Sequence, residues 1–433
     1  MLIYATSIQP RLRYIAEFIS SQLDDSLLLL TSDKVEFSAY DGVKINYSDE
    51  TITTDEFRIN PVALLFETGI KEQELKVFQS GNYKAFFKTQ GDFNFDIFAA
   101  SFYLLSRYEE YLPHKKDIYG RYAYENSLAY KENFLDIPLV NIWLKHFKEA
   151  LISKFPGSSF TESHFRFLPT YDIDEAYSFK HKSWKRSAGG AIKDLLVGRF
   201  QRFRKRRKVL NGSESDPFDS YTWIDDLHRP YNIRPNYFFL IADKNSRYDK
   251  NILPAEPVFQ LLVRQHAGKY KIGVHPSWRS GDQPDLIKQE IETLEEITKL
   301  KITSSRQHYI RFTLPETYRH LISAGIKEDF SMGYGSINGF RASVASPFYW
   351  YDLEKEQATH LKLYPFCYME ANSFYEQKFS TKQAFDEMMH YYKEVKKING
   401  TLITIWHNTF LGTEQKFKGW REVYYKFFSI ATA

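Results

Sequence analysis

A single cysteine, Cys367, in 433 residues excludes an intrachain disulfide and any multi-cysteine zinc or iron–sulfur site. A reducing compartment is thereby permitted. Long apolar runs are also lacking: no stretch approaches the roughly 18 consecutive apolar residues of a membrane-spanning helix. The opening MLIYATSIQPRLRYIAEF has no uninterrupted apolar segment behind a basic start, so the expected location is cytoplasmic. Neither sign of charge dominates, with 58 Lys plus Arg against 54 Asp plus Glu. Several chemistry-bearing signatures are missing as well. There is no G-x-x-x-x-G-K-[ST] phosphate loop, no H-E-x-x-H helix and no G-x-S-x-G elbow, which leaves serine-hydrolase chemistry unsupported. Gly333-Tyr334-Gly335 with Gly339 places its third glycine one position late for a dinucleotide loop, and that reading is rejected.

What is abundant is aromatic: 31 Tyr, 36 Phe and 7 Trp make up 17% of the chain. Flat rings with polar edges suit carbohydrate faces as well as cores, but most lie in apolar runs such as NYFFLI and are assigned to packing. Length at roughly 150 residues per domain gives two or three domains, and two are expected because an α/β barrel can run to roughly 250 residues as one unit. LIYAT and RLRYIAEFISSQL read as strand then amphipathic helix, LLLLTS and KVEFSAY as strands, and FDIFAASFYLLSRYEEYL and VNIWLKHFKEALISKF as helices. The latter ends near Phe155-Pro156-Gly157, a boundary signal, so residues 1–160 are expected to form an α/β accessory domain. From 161 to 433, RFLPTYDID, PNYFFLIA, KYKIGVH, KITSSRQHY, LKLYPF and GTLITIWHN are strand-like, with helical periodicity between several of them. Such βα alternation over roughly 270 residues fits a barrel better than a short open sheet.

Charge is segregated within the second region. Residues 180–208 hold twelve Lys or Arg against Asp194 alone, a local +11 that leaves −7 for the rest of the chain. In AIKDLLVGRFQRFRKRRK, Ile192, Leu195, Leu196, Phe200 and Phe203 recur at near-helical spacing. The basic insertion of about 180–210 is read either as an amphipathic helix on an anionic membrane or as a solvated basic segment. No nucleic-acid module accompanies it, and no nucleic-acid partner is expected.

Four strand-like runs end in residues that carry chemistry. In Thr170-Tyr171-Asp172-Ile173-Asp174-Glu175, strand periodicity turns Asp172 and Asp174 to one face, about 7 Å apart. Two carboxylates so placed can divide proton transfer and metal binding, or form a polar turn. Gly273-Val274-His275-Pro276-Ser277-Trp278 ends a strand in an imidazole able to ligate a metal. Ser305-Arg306-Gln307-His308 puts Arg306 and His308 on one side, and Thr404-Ile405-Trp406-His407-Asn408 ends in His407. Each is weak alone, but barrel active sites gather at strand C-termini.

The order TYDID, GVHPSW, SRQHY, EDFSMGY with GFRAS, and IWHN resembles the polysaccharide deacetylase superfamily over about residues 165–415. It is similar in particular to a bacterial subgroup with an additional N-terminal α/β domain. The resemblance implies a distorted (β/α) barrel. It makes Asp172 the general base, Asp174 and His275 metal ligands, and His407 the general acid. The family's usual second histidine falls at Arg279, so His308 becomes the third ligand. Arg306 would orient Asp172, Asp329 would hydrogen-bond Arg341 or His407, and Trp278 and Trp406 would stack on sugar. The implied cofactor is a divalent metal, zinc first and cobalt or nickel next. The implied reaction is removal of N-acetyl groups from a saccharide, with a cell-envelope or lipid-linked glycan suggested by the basic segment. Replacement of that histidine by Arg279 motivates an alternative, an inactive sugar-binding or assembly protein. A metal-free glycosidase using Asp172 with Asp174 or Glu175 is a third reading.

Overall fold

The computed structural model describes residues 1–23, 28–158, 160–161, 163–231 and 233–433. It is a mixed α/β structure. The first region carries a four-stranded parallel sheet, in which Leu2–Ala5 lies between Leu29–Thr31 and Lys44–Tyr47, with Phe57–Arg58 at the edge. Helix Pro10–Leu23 follows the first strand as its periodicity requires, burying Leu12, Ile15, Ile19 and Leu23. The LLLLTS run becomes Leu29–Thr31, and its Leu27 lies outside the described residues. KVEFSAY, expected as a strand, is instead the helix Lys34–Ala39. Asp33 decides this locally: its carboxylate accepts the backbone N–H groups of Val35 and Glu36, capping the helix. The expected long helix from Phe95 spans only Ile97–Leu105, because Arg107 turns left-handed (φ 55°) before a short 3₁₀ turn at Tyr108–Glu110.

The second region is built on a nine-stranded sheet. Its centre is parallel: Thr401–His407, Arg166–Ile173, Asn236–Leu240, Lys271–His275, Ser304–Ser305 and Glu328–Asp329 lie side by side in that order. Strand pairing leaves the row open, with Phe348–Asp352 antiparallel at one end and Tyr368–Met369 at the other. A closed barrel is therefore not shown by the ladders. One segment nevertheless touches both flanks. Gln357–Leu363 pairs with Glu328–Asp329, Phe366 donates to Met332 O, and Cys367 donates to Ile403 O before Tyr368–Met369 pairs with Thr401–His407. The basic insertion, read as one helix, is two: Trp184–Leu196 and Phe200–Leu210, broken where Gly198 takes φ 70°.

The two regions share one apolar core running from Ile3 to Ala431. Polar contacts cross it too: Arg11 forks onto Glu356, and Arg341 forks onto Glu110 at 2.8 and 2.5 Å with both residues buried. No helix among the described residues is long and apolar enough to cross a membrane.

Candidate metal centre

The parallel strands bring their C-terminal ends to one place. Register sets His407 opposite Asp172, and Asp174 follows one residue after its strand ends. His275 closes the next-but-one strand, and His308 opens a 3₁₀ turn after Ser304–Ser305. Asp174 Oδ1 lies 3.2 Å from His275 Nε2, and its Oδ2 lies 3.4 Å from His308 Nε2 and 3.5 Å from His407 Nε2. One ligand atom from each of Asp174, His275 and His308 falls within 4.8 Å of the others.

Each imidazole is oriented by a partner on its far nitrogen. His275 Nδ1 donates to Arg306 O at 2.5 Å, and His308 Nδ1 lies 3.1 Å from Asp249 Oδ1. Both Nε2 atoms face Asp174, and with Nδ1 engaged elsewhere each can turn its lone pair to a cation once its proton has left, the arrangement that carbonyls and carboxylates behind metal-ligating histidines impose. Asp174 Oδ1 is buried and accepts no hydrogen bond from a described residue. A buried carboxylate oxygen left without a donor beside His275, with His308 at the carboxylate's other oxygen, fits a divalent cation, and this donor set matches zinc, cobalt or nickel chemistry. His407 differs, since Glu370 Oε1 takes both its Nδ1 and its backbone N–H at 2.7 Å.

The electrostatics follow this crowding. Burial works against a charged Asp174 carboxyl, but His308 and His407 beside it hold it well below the usual carboxylate range. Burial opposes the imidazolium of His407, yet Glu370 and Asp174 outweigh it and lift the group to about 10. His308 is lifted to about 9, again against burial, by Asp174 and Asp249. Asp172 is buried and accepts Arg306 Nη1 at 2.8 Å. The Arg306 guanidinium lies 4.5 Å from the centre of the Phe238 ring. Phe238 can sit there because Gly273 leaves it room, a Cβ at that position falling 2.4 Å from the ring.

Around this floor lies a cavity of about 680 Å³. The first region contributes to it: Tyr119 and Arg121 line it, and Arg121 Nη1 donates to Tyr309 O at 2.7 Å. That bond braces two consecutive left-handed residues, Tyr309 (φ 58°) and Ile310 (φ 54°), just after His308. Non-glycine residues there are strained by about 1 kcal/mol or more each.

Four expected roles need correction. Asp329 meets neither Arg341 nor His407; its Oδ2 accepts Ser305 Oγ and Ser331 Oγ at 2.8 and 2.9 Å, which ties adjacent strands behind Arg306. Arg341 points to Glu110 in the first region. Trp406 is fully buried against Tyr424, at 4.4 Å between ring centres, and is wall rather than sugar platform. Trp278 already stacks on Tyr248 at 3.9 Å and carries Arg311 at 4.5 Å, while the aromatic rings lining the cavity are Tyr119, Tyr248, Tyr309, Tyr375 and Phe410. Arg279 pairs with Asp243 at 2.7 Å, outside the cluster. Asp249 and Glu370 were missed by sequence reasoning. Glu370 follows Tyr368–Met369 and was detectable as an acid at a strand end, whereas Asp249 sits in an irregular connection with no periodic signal.

Glu290 supports the loop after His275 by accepting the Ser277 N–H at 2.9 Å, and burial lifts its carboxyl from 4.5 to about 8. The folded state therefore favours the neutral acid. Its contribution is complete below about 4.5 and is lost as pH rises through about 8. Glu290→Gln keeps the acceptor and removes the ionisation. Thermal melts should show the variant more stable than wild type above about pH 8, with the two converging near pH 4.5; an equal difference at both would contradict this assignment.

Residues 1–156 match a family model described as a family of unknown function (DUF7033). No curated protein matches the chain. Two solved structures are similar over part of it. A Mycobacterium smegmatis protein assigned as a polysaccharide deacetylase shares 12% identity, with a TM-score of 0.40 over 64% of this chain and 87% of that one. A Bacillus cereus polysaccharide deacetylase shares 9% identity, with a TM-score of 0.31 over 62% and 88%. At TM-scores this low the site's own residues, rather than these likenesses, carry the functional reading.

Proposed function

We propose that the protein is a metal-dependent hydrolase that removes N-acetyl groups from a saccharide, on a distorted barrel of the polysaccharide deacetylase type. The observation that carries this reading is the convergence of Asp174, His275 and His308 with both imidazole Nδ1 atoms already engaged. The double attachment of 357–369 to opposite flanks of the sheet supports the barrel.

Asp174, His275 and His308 would hold a divalent ion, which would supply Lewis acidity towards an acyl carbonyl and a water. Asp172, fixed by Arg306 and with Oδ2 3.8 Å from His275 Nε2, accepts the proton of the attacking water. His407, held by Glu370 across Asp174, returns a proton to the departing amine nitrogen. The tyrosines of the cavity wall offer flat faces to a sugar ring.

The test is metal content by inductively coupled plasma mass spectrometry on wild type, His275→Ala and His308→Ala, paired with acetate release from N-acetylated oligosaccharides. Wild type is expected to hold near-stoichiometric metal and both variants to lose it with activity. Wild type that takes up no zinc, cobalt or nickel, yet binds glycan, would make the protein a sugar-binding barrel. Chelator-resistant release of reducing sugar would make it a glycosidase.

A further inference from the structure

Helix Trp184–Leu196 is built inside out. A soluble surface helix turns its apolar stripe inward and its charges to water. Here Asp194 is the only residue of the helix that is buried, held by Arg206 at 2.8 Å, while the apolar side chains face outward. Trp184, Ile192 and Leu196 fall on one stripe at multiples of four residues and are 75%, 57% and 81% exposed. Val197 and Phe200 extend the exposed apolar surface around the Gly198 turn. The surrounding cations Lys185, Lys193, Arg199, Arg204 and Arg207 are exposed as well.

The hairpin is tied to the cavity rim at both helices. Arg186 donates to Asn245 Oδ1 at 2.7 Å and Lys250 O at 2.9 Å, in the connection that carries Asp249. Lys205 Nζ donates to Thr413 O at 2.8 Å, three residues before Lys416, which lines the cavity.

We propose that residues 184–210 dock the protein on the surface of an anionic lipid bilayer, with the cavity mouth beside the contact. Exposed Trp, Ile, Leu and Phe enter the interfacial layer while the flanking Lys and Arg meet lipid phosphates. A second copy of this chain is the poorer occupant, because two hairpins of net charge +9 (ten Lys or Arg against Asp194 in 184–210) face to face repel each other. The depth is interfacial, since no described helix is long and apolar enough to span.

The full-length protein is sedimented with vesicles of phosphatidylcholine alone and with phosphatidylglycerol added. Binding is expected only to the anionic vesicles. Combined Lys193→Gln, Arg199→Gln, Arg204→Gln and Arg207→Gln should weaken it on the order of a hundredfold or more, at around tenfold or less per residue. Combined Trp184→Ser, Ile192→Ser and Leu196→Ser should weaken it at least about tenfold. These side chains are exposed, so circular dichroism should show both variants folded. Asp174→Ala should bind vesicles as wild type does, which separates docking from the metal-centre reading. No wild-type binding to anionic vesicles, or unchanged binding in both multiple variants, overturns the proposal. So does a dimer in analytical ultracentrifugation that the serine variant turns to monomer.

Discussion

Asp172→Asn is expected to lower acetate release on the order of a hundred- to ten-thousandfold while leaving the metal bound. Asparagine keeps an oxygen for Arg306 Nη1, so the buried guanidinium retains its partner, but the proton acceptor is gone. Asp174→Ala removes the carboxylate that both ligand imidazoles face and should lose metal and activity together. The pair of variants thus divides two acids that stand two residues apart. Glu370→Gln extends the argument to a positioning residue, since it leaves an acceptor for the His407 N–H groups but removes the charge beside them. Its expected signature is a fall in kcat with little change in KM, and with metal content retained. Wild-type rates in Asp172→Asn would remove it as the base, and metal loss in that variant would make it a ligand instead.

Arg341→Met should destabilise the protein by about 3 kcal/mol, because it breaks a buried ion pair and leaves the buried Glu110 carboxylate with Arg107 alone, which Glu109 also engages. The pair joins the two regions: Arg341 forks onto Glu110, which Arg107 also meets at 2.8 Å. Burial pushes the Glu110 carboxyl up, but Arg341 and Arg107 more than reverse this and bring it from 4.5 to about 2. A depressed carboxyl contributes stability that is present above about 4.5 and lost as pH falls through about 2. Removing Arg341 returns Glu110 towards its ordinary range. Chemical denaturation from neutral pH downward should therefore show a lower plateau for the variant and a shallower loss below about pH 4.5. An unchanged acid limb would mean that Arg341 does not hold the Glu110 charge.

The chain of residues that reaches the cavity floor was legible because it obeys local rules. Asp172, Asp174, His275 and His407 stand at or just beyond the ends of apolar runs, and strand period places them without reference to anything distant. The same rules made the +11 segment visible, as composition alone reveals segregated charge. What they could not supply was partners. Asp249 to His308, Glu370 to His407 and Glu110 to Arg341 are contacts over 59, 37 and 231 residues, fixed by which strands lie side by side rather than by neighbours in sequence. Trp406 and Trp278 failed as sugar platforms for the same reason, since a ring beside a ligand in sequence can be fully packed in space. Local chemistry also outweighed the apolar pattern once, where Asp33 caps Lys34–Ala39 into a helix. The sequence by itself determined the α/β alternation, the four strand ends and the basic segment, because each is a short-range pattern. The tertiary structure alone decided that Asp249 and Glu370 stand behind His308 and His407, that Tyr119 and Arg121 line the cavity, and that the insertion turns its apolar stripe outward, because each depends on packing between distant elements.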